Sequence, residues 1–290
     1  MAEEQQAEQP VHPFVSLATT FVAVSDAINA WFKTHQADIE RAMAGVGAVV
    51  AGVSTVLSDF AKSATDSFNA RMEVYPALAN EIVPLAKRGW FVSMFFPLSD
   101  LDLLAHSAAA GAPAELDLLI AQLYRETILH HAAVMLQEYP GRAFLLRPAM
   151  DAHLRGEYAI SIPVFFILAD GICFEQAEKE LFQGHGDDHI ASRARAELEA
   201  ANERTAENPI SDFFSLLSSA MWASISEKLP LAYNRVTRNR CGYDGLNRNT
   251  ILHGIADESY ATEENSLKAF SLLSFLASLL ASKNGSPQQA

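Results

Sequence analysis

Cysteine is nearly absent. Cys173 and Cys241 are the only two in 290 residues, and nothing resembles CxxC. That excludes a disulfide scaffold and a cysteine zinc site, and it suits free thiols in a reducing compartment. Basic residues are scarce as well: 21 Lys and Arg stand against 35 Asp and Glu, a formal charge of −14. Such a balance excludes broad non-specific binding to DNA or anionic membranes and leaves room for one focused basic site. Strand-like alternation and internal repeats are missing. No GxSxG elbow, HExxH pair or P-loop occurs. The first ten residues, Met1 to Pro10, are acidic and Gln-rich. They lack the basic start and apolar stretch of a secretory signal, so a cytoplasmic location is expected.

Long hydrophobic runs are lacking too, with one stretch to check. Between Arg41 and Asp59 there are 17 uncharged residues, including AMAGVGAVVAGVSTVL. A bilayer span takes about 20 mostly apolar residues. This run is short and rich in Ala, Gly, Ser and Thr, so a tightly packed internal helix is expected and stable membrane insertion is not. GVGAVVAG hints at a dinucleotide loop, but Val50 stands where the third glycine of GxGxxG belongs and no strand precedes it.

What the chain does have is helical periodicity. Half of it is hydrophobic, enough for one large core or two moderate ones. Phe14, Leu17, Phe21, Val24, Ile28 and Trp31 recur at steps of three and four, the seam of a packing helix. Pro76, Pro84 and Pro97 are expected to divide the next region into short helices. AAAGAP, Ala108 to Pro113, reads as a loop. Leu116, Leu119, Ile120 and Leu123 mark a helix running to about Glu138, where YPGR breaks it. A new unit is expected near Arg142. RAFLLRPAMDAHLRG reads as a helix ending at Gly156. SIPVFFILADGICFEQAEKELF then reads as a fully buried helix, with Ser161 as cap and Pro163 in its first turn. Ala191 to Asn208 reads as a solvated helix with Arg193–Glu197 and Arg195–Glu199 pairs. Apolar periodicity returns from Ile210 to Leu229 through Phe213, Phe214, Leu217, Met221 and Ile225. The last helix has Thr262 as cap, Glu263 and Glu264 in its first turn, and an apolar side of Leu267, Phe270, Leu273 and Leu276. Asn284 and Gly285 stop it.

The charge sign reverses in one place. RNRCGYDGLNRNTILHG, Arg238 to Gly254, holds Arg238, Arg240 and Arg248, with Arg235 just upstream. Asp244 is the only acid between Arg235 and His253. Gly245 and Gly254 bracket LNRNTILH. Asn247 can cap a short helix, and Leu246, Ile251 and Leu252 can anchor it. Arg248 and His253 then lie five positions apart, about 140° on an ideal helix. One straight helix does not aim both at one small ligand. Either it bends or a second surface completes the site, as a symmetric dimer would.

Arg248-Asn249-Thr250-Ile251-Leu252-His253 resembles the R-x4-6-H signature of the HEPN superfamily, the higher eukaryotes and prokaryotes nucleotide-binding domain. Asn249 fits the polar residue that often follows that arginine. LNRNTILHG followed by TEENSLKAFSLL looks like HEPN-type proteins of bacterial defence and stress systems. The likeness covers about Arg142 to Ser282. It implies a four- or five-helix bundle that dimerises, and metal-independent RNA cleavage at a composite site on the dimer axis. It also implies Arg248 and His253 as catalytic residues and Asn249 as a positioning group.

The chemistry of the residues agrees. Metal-free RNA cleavage needs a base for the ribose 2′-OH, an acid for the leaving 5′-oxygen, and a cation for the phosphorane-like transition state. Histidine titrates near neutral pH and serves as base or acid. Arginine offers phosphate a planar fork of donors. Arg235, Arg238 and Arg240 can hold flanking phosphates with salt-sensitive affinity, or can form a solvated loop balancing nearby acids. Asp170 interrupts the apolar run PVFFILADGICF. A buried carboxylate is costly unless paired, so Asp170 either orients Arg248 or His253, makes a structural hydrogen bond, or marks a bend beside Gly171. HGDDH holds His185, Asp187, Asp188 and His189, which reads as a surface loop ahead of a metal site. His130 and His131 face different sides of their helix and read as a structural or surface pair.

The expectation is an all-α protein with no cofactor and no metal. Residues 1–12 and 285–290 read as disordered tails, 13–140 as a helical region of unknown role, and 141–284 as a HEPN-like helical domain. The expected function is an RNA endonuclease giving 2′,3′-cyclic phosphate and 5′-OH ends, in a defence, toxin or stress-response setting. RNA, a second copy of the chain and a neutralising or sensor protein are the expected partners. The alternatives are a non-catalytic helical dimerisation module and a membrane-associated effector.

Overall fold

The computed structural model describes residues 47–182, 186–203 and 209–281. The expected tails and the seam from Phe14 to Trp31 lie outside the described residues. Within them the protein is all-α, with no strand beyond a single bridge between Glu180 and His189. The helices are α1 (Gly47–Lys87), α2 (Leu98–Ala109), α3 (Pro113–Glu138), α4 (Ala143–Leu154), α5 (Tyr158–Ala177), α6 (Ile190–Glu203), α7 (Pro209–Ser224), α8 (Arg235–Cys241), α9 (Arg248–Leu252) and α10 (Glu263–Leu280).

Proline does not break the first helix. Pro76 and Pro84 both lie inside α1, which runs on to Lys87; only Pro97 precedes a new helix. A proline removes one N–H and crowds the carbonyl four residues back, so the helix survives only where packing offsets that loss. Here Tyr75, Leu78, Ile82 and Leu85 are fully or almost fully buried. Arg71 also binds Asp102 at 3.0 Å and Arg88 binds Asp117 at 2.9 Å, fastening α1 to α2 and α3. The expected loop at 108–113 shrinks to three residues, because Ala108 and Ala109 end α2 and Pro113 begins α3.

The expected helix at Ser161 starts three residues earlier, at Tyr158, so Ser161 and Pro163 lie inside α5. Pro163 leaves the Ala159 carbonyl without its helical donor, and the Tyr260 hydroxyl bonds that oxygen at 3.2 Å. Ser161 is not a cap; its Oγ meets Ser266 Oγ at 2.8 Å in the core. Nor is α5 buried all round. Phe165, Phe166, Leu168 and Ala169 are buried, while Ile160, Ile167 and Phe174 are exposed.

The last helix is the centre of the molecule. Thr262 caps α10 as expected, its Oγ1 accepting from Asn265 N at 3.2 Å. Yet α10 is buried almost all round from Ser266 to Leu280, with Lys268 alone part-exposed, and not on one apolar side only. It packs against α5 and α3. Its serines make this workable. The segment Trp90–Phe96 is not helical but is mostly buried, so its backbone needs partners. Phe91 N donates to Ser271 Oγ at 3.2 Å, and Met94 N donates to Ser278 Oγ at 3.1 Å. Ser274 Oγ bonds Ser93 Oγ at 2.9 Å and His131 Nδ1 at 2.8 Å. Ser266 Oγ bonds His153 Nδ1 at 2.8 Å. His131 is fully buried and His130 is exposed.

One continuous core runs from Tyr75 to Leu280 and takes residues from both sides of position 141. In α6 the Arg193–Glu197 pair forms at 3.5 Å, whereas Arg195 instead reaches the Ser226 carbonyl at 3.3 Å. Leu217, Met221 and Ile225 are buried as their spacing predicts; the side chains of Phe213 and Phe214 lie outside the described ones. Both cysteines are free, Cys173 buried and Cys241 exposed. Among the described residues one helix, α5, is long and apolar enough to cross a membrane; it is packed between α4 and α10.

Candidate functional site

The charge-reversed stretch folds into two short helices. Asn234 caps α8, accepting from Thr237 N at 2.9 Å. Asn247 caps α9 as its type predicts, accepting from Thr250 N at 3.0 Å. Leu246 and Ile251 are buried and pin α9 to the body. The helix is only five residues long, and His253 is its C-terminal cap. Gly254 follows at φ +66°, a backbone that a side chain would strain, and it turns the chain away.

Arg248 is buried, with 7% of its surface exposed. Its guanidinium carbon lies 4.9 Å from the centre of the Phe182 ring, a cation–π contact. Its Nη1 donates to Asn249 Oδ1 at 3.1 Å. Asn249 is itself fixed, because its Nδ2 donates to the carbonyls of Ala232 at 2.9 Å and Tyr233 at 3.3 Å. The residue after the arginine therefore holds the guanidinium in place. Arg248 Nε is buried and has no partner among the described residues. Burial pulls the guanidinium pKa down, and the charge of Asp170 pushes back up.

Arg248 opens onto a cleft of about 400 Å³. Arg142, Phe166, Ile167, Asp170, Glu180 and Leu252 line it, with Gly171 and Phe174. Asp170 is half-buried, not fully buried, and its Oδ1 accepts from Leu181 N at 3.1 Å, a structural hydrogen bond. Its charge faces Arg248 with no hydrogen bond between them among the described residues. Arg142 was missed by sequence reasoning as a site residue. It crosses α5 at Gly171, where an added Cβ would lie 3.0 Å from its Nη1. Its Nη2 donates to the Gly171 carbonyl at 3.1 Å, and Glu175 pairs with it at 2.9 Å. The only sequence signal for this arrangement was a glycine beside an aspartate in an apolar helix.

His253 is exposed and is not among the residues lining the cleft. Within one chain, the structure does not bring it together with Arg248, in keeping with their spacing. Arg235, Arg238 and Arg240 lie on α8, not on a loop. Arg235 and Arg240 are exposed and make no ion pair among the described residues; Arg238 Nε reaches the Tyr243 carbonyl at 3.4 Å. In the HGDDH stretch, His185 lies outside the described residues. Asp187 and Asp188 form a 3-10 turn, tied back where Lys179 Nζ meets the Asp187 carbonyl at 2.6 Å. Among the described residues no group of three or more His, Cys, Asp and Glu is placed to hold a metal ion.

A scan against protein-family models found no match, and searches of curated proteins and of solved structures found none either.

Proposed function

We propose that the protein is a HEPN-like, metal-independent RNA endonuclease acting as a homodimer in defence, toxin or stress response. The observation that carries this reading is Arg248. It is a nearly buried guanidinium, clamped by Asn249 and Phe182, that lines an open cleft and whose Nη2 has no hydrogen-bond partner among the described residues. A guanidinium donor left free at a cleft makes charge-assisted hydrogen bonds to anionic oxygens, so such a group is expected to serve an anion. The exposed His253 at the other end of α9 supplies the proton chemistry.

In this reaction a ribose 2′-oxygen attacks the adjacent phosphorus. The P–O5′ bond breaks, leaving a 2′,3′-cyclic phosphate and a 5′-OH end. One imidazole takes the 2′-OH proton and another proton goes to the departing 5′-oxygen. Two copies of His253, one from each chain, meet that need, and the guanidinium of Arg248 stabilises the phosphorane-like charge. Arg235, Arg238 and Arg240 hold the flanking strand. The described residues that precede α4 pack into the same core as the site helices, so a sensor or neutralising protein engaging them can bias the site.

The test is incubation of the purified protein with RNA in EDTA, followed by end-group analysis. Wild type is expected to give cyclic-phosphate and 5′-OH ends. His253→Ala, at an exposed position, is expected to abolish cleavage without unfolding the protein; Arg248→Lys is expected to reduce it strongly. Undiminished cleavage in the doubly substituted protein refutes the assignment. A second reading, a non-catalytic interaction module, is favoured by the separation of Arg248 and His253 within one chain. It predicts stable dimers and no cleavage at any concentration.

A further inference from the structure

We infer that the cleft beside Arg248 takes one unpaired nucleotide, with its phosphate on the Arg142 and Arg248 guanidinium groups and its base stacked on Phe174. The inference rests on the RNA reading above and names the kind of RNA that the site accepts. Two arginines and two acids, Asp170 and Glu180, line the cleft. Their formal charges cancel, so a phosphate alone gains little from long-range attraction. The two guanidinium groups nevertheless hold unspent donors. Arg248 Nη2 and Arg142 Nη1 donate to no described residue, whereas Arg248 Nε is sealed from solvent. A ligand that seats a phosphate there needs a second source of binding energy.

Phe174 supplies it. It is 63% exposed, on a helix whose neighbouring Cys173 and Ile172 are buried. Ile167, one heptad earlier on the same side of α5, is 49% exposed. Both line the cleft. A flat aromatic face beside guanidinium groups that contact the backbone is an arrangement by which proteins hold single-stranded nucleic acid. A base must leave its duplex stack to reach such a face, so paired RNA is excluded. A volume of about 400 Å³ falls within the small-ligand pocket range of about 300–1,000 Å³ and suits a single nucleotide. Glu180, exposed at the same cleft, repels a second phosphate and leaves the strand one path, across Arg142 and Arg248.

The experiment uses full-length protein carrying His253→Ala, so that the strand survives, and reads binding by fluorescence anisotropy. The probes are a short unstructured oligoribonucleotide, the same strand annealed to its complement, and the same strand with abasic positions. Phe174→Ala is expected to weaken the unstructured strand roughly tenfold, to leave the abasic strand unchanged, and to be rescued by Phe174→Tyr. The duplex is expected to bind more weakly than the single strand. Equal binding by Phe174→Ala overturns the inference. So does rescue by Phe174→Leu, which would mark an apolar contact between copies; sedimentation of each variant reads that directly. If the Phe174 effects hold but wild type cleaves nothing, the stacking cleft stands and the ribonuclease reading falls. If wild type cleaves but binding ignores Phe174, the reverse holds. Absence of all RNA binding overturns both.

Discussion

Lowering the pH should destabilise this protein, chiefly through His131. Its ring is fully buried among Phe95, Phe96, Tyr124 and Phe270, with centroids 4.6–6.4 Å away. Nδ1 bonds Ser274, while Nε2 is buried with no partner among the described residues. A proton there would place a charge in an apolar cage. Burial, with a smaller push from His130, therefore lowers the pKa from the ordinary 6.5 to about 3. Between these values the unfolded chain binds the proton and the folded chain does not, so stability rises with pH across the window. The full contribution is present above pH 6.5 and is lost as pH falls toward 3. At about 1.36 kcal/mol per pH unit, one such histidine removes about 2 kcal/mol between pH 7 and pH 5. That is a large part of a total of about 5–15 kcal/mol. The assay is urea unfolding at several pH values, for wild type and for His131→Phe. The variant loses the bond to Ser274, about 1 kcal/mol, and keeps the ring packing. Its stability should fall about 2 kcal/mol less than that of wild type over the same range. Burial also lowers the pKa of His153, but that effect is common to both proteins and cancels in the difference. Parallel curves for the two proteins would refute the reasoning.

Gly171→Ala should separate stability from binding. The new methyl group would lie 3.0 Å from Arg142 Nη1 and so displaces that guanidinium, while alanine returns about 1 kcal/mol of helix propensity. The melting temperature should move by less than about 4 °C, and RNA affinity measured by anisotropy should fall. Asn249→Ala removes two donors to the Ala232 and Tyr233 carbonyls and the acceptor that holds Arg248. Denaturant titration should show a loss of about 1–3 kcal/mol, and cleavage should drop with it. Ser274→Ala leaves His131 Nδ1 and Ser93 short of a partner. It should cost about 1–3 kcal/mol and should speed amide exchange in the Trp90–Phe96 segment.

Local chemistry was legible in the sequence wherever one residue decides it. Asn247 and Thr262 cap as their types predict. Glu138 ends its helix where Tyr-Pro-Gly follows, and His130 and His131 divide between surface and core. What escaped depends on partners far away in the chain. Pro76 and Pro84 look like breaks, because nothing nearby reveals that Tyr75 and Leu85 are locked in the core. The serines of α10 look like its polar side until the buried Trp90–Phe96 segment is seen to need them. At the candidate site, Arg248 and Asn249 were readable from their pattern. Arg142 was not, because its place depends on a missing side chain at Gly171, 29 residues away. The wide angle between Arg248 and His253 follows from helix geometry alone, and the structure keeps the two apart within one chain.

The encasement of α10 from Ser266 to Leu280 has a consequence for biosynthesis. Every helix that surrounds it comes earlier in the chain, and Phe91 finds its partner Ser271 only across 180 residues. A nascent chain therefore emerges as a sleeve without its axle. Until that last stave clears the ribosome, leucines and phenylalanines from the earlier helices have nothing to close upon and are open to chaperones and proteases. A premature stop before Glu263 yields a degradable polypeptide in place of a smaller working protein, so that assembly waits until this helix has been translated.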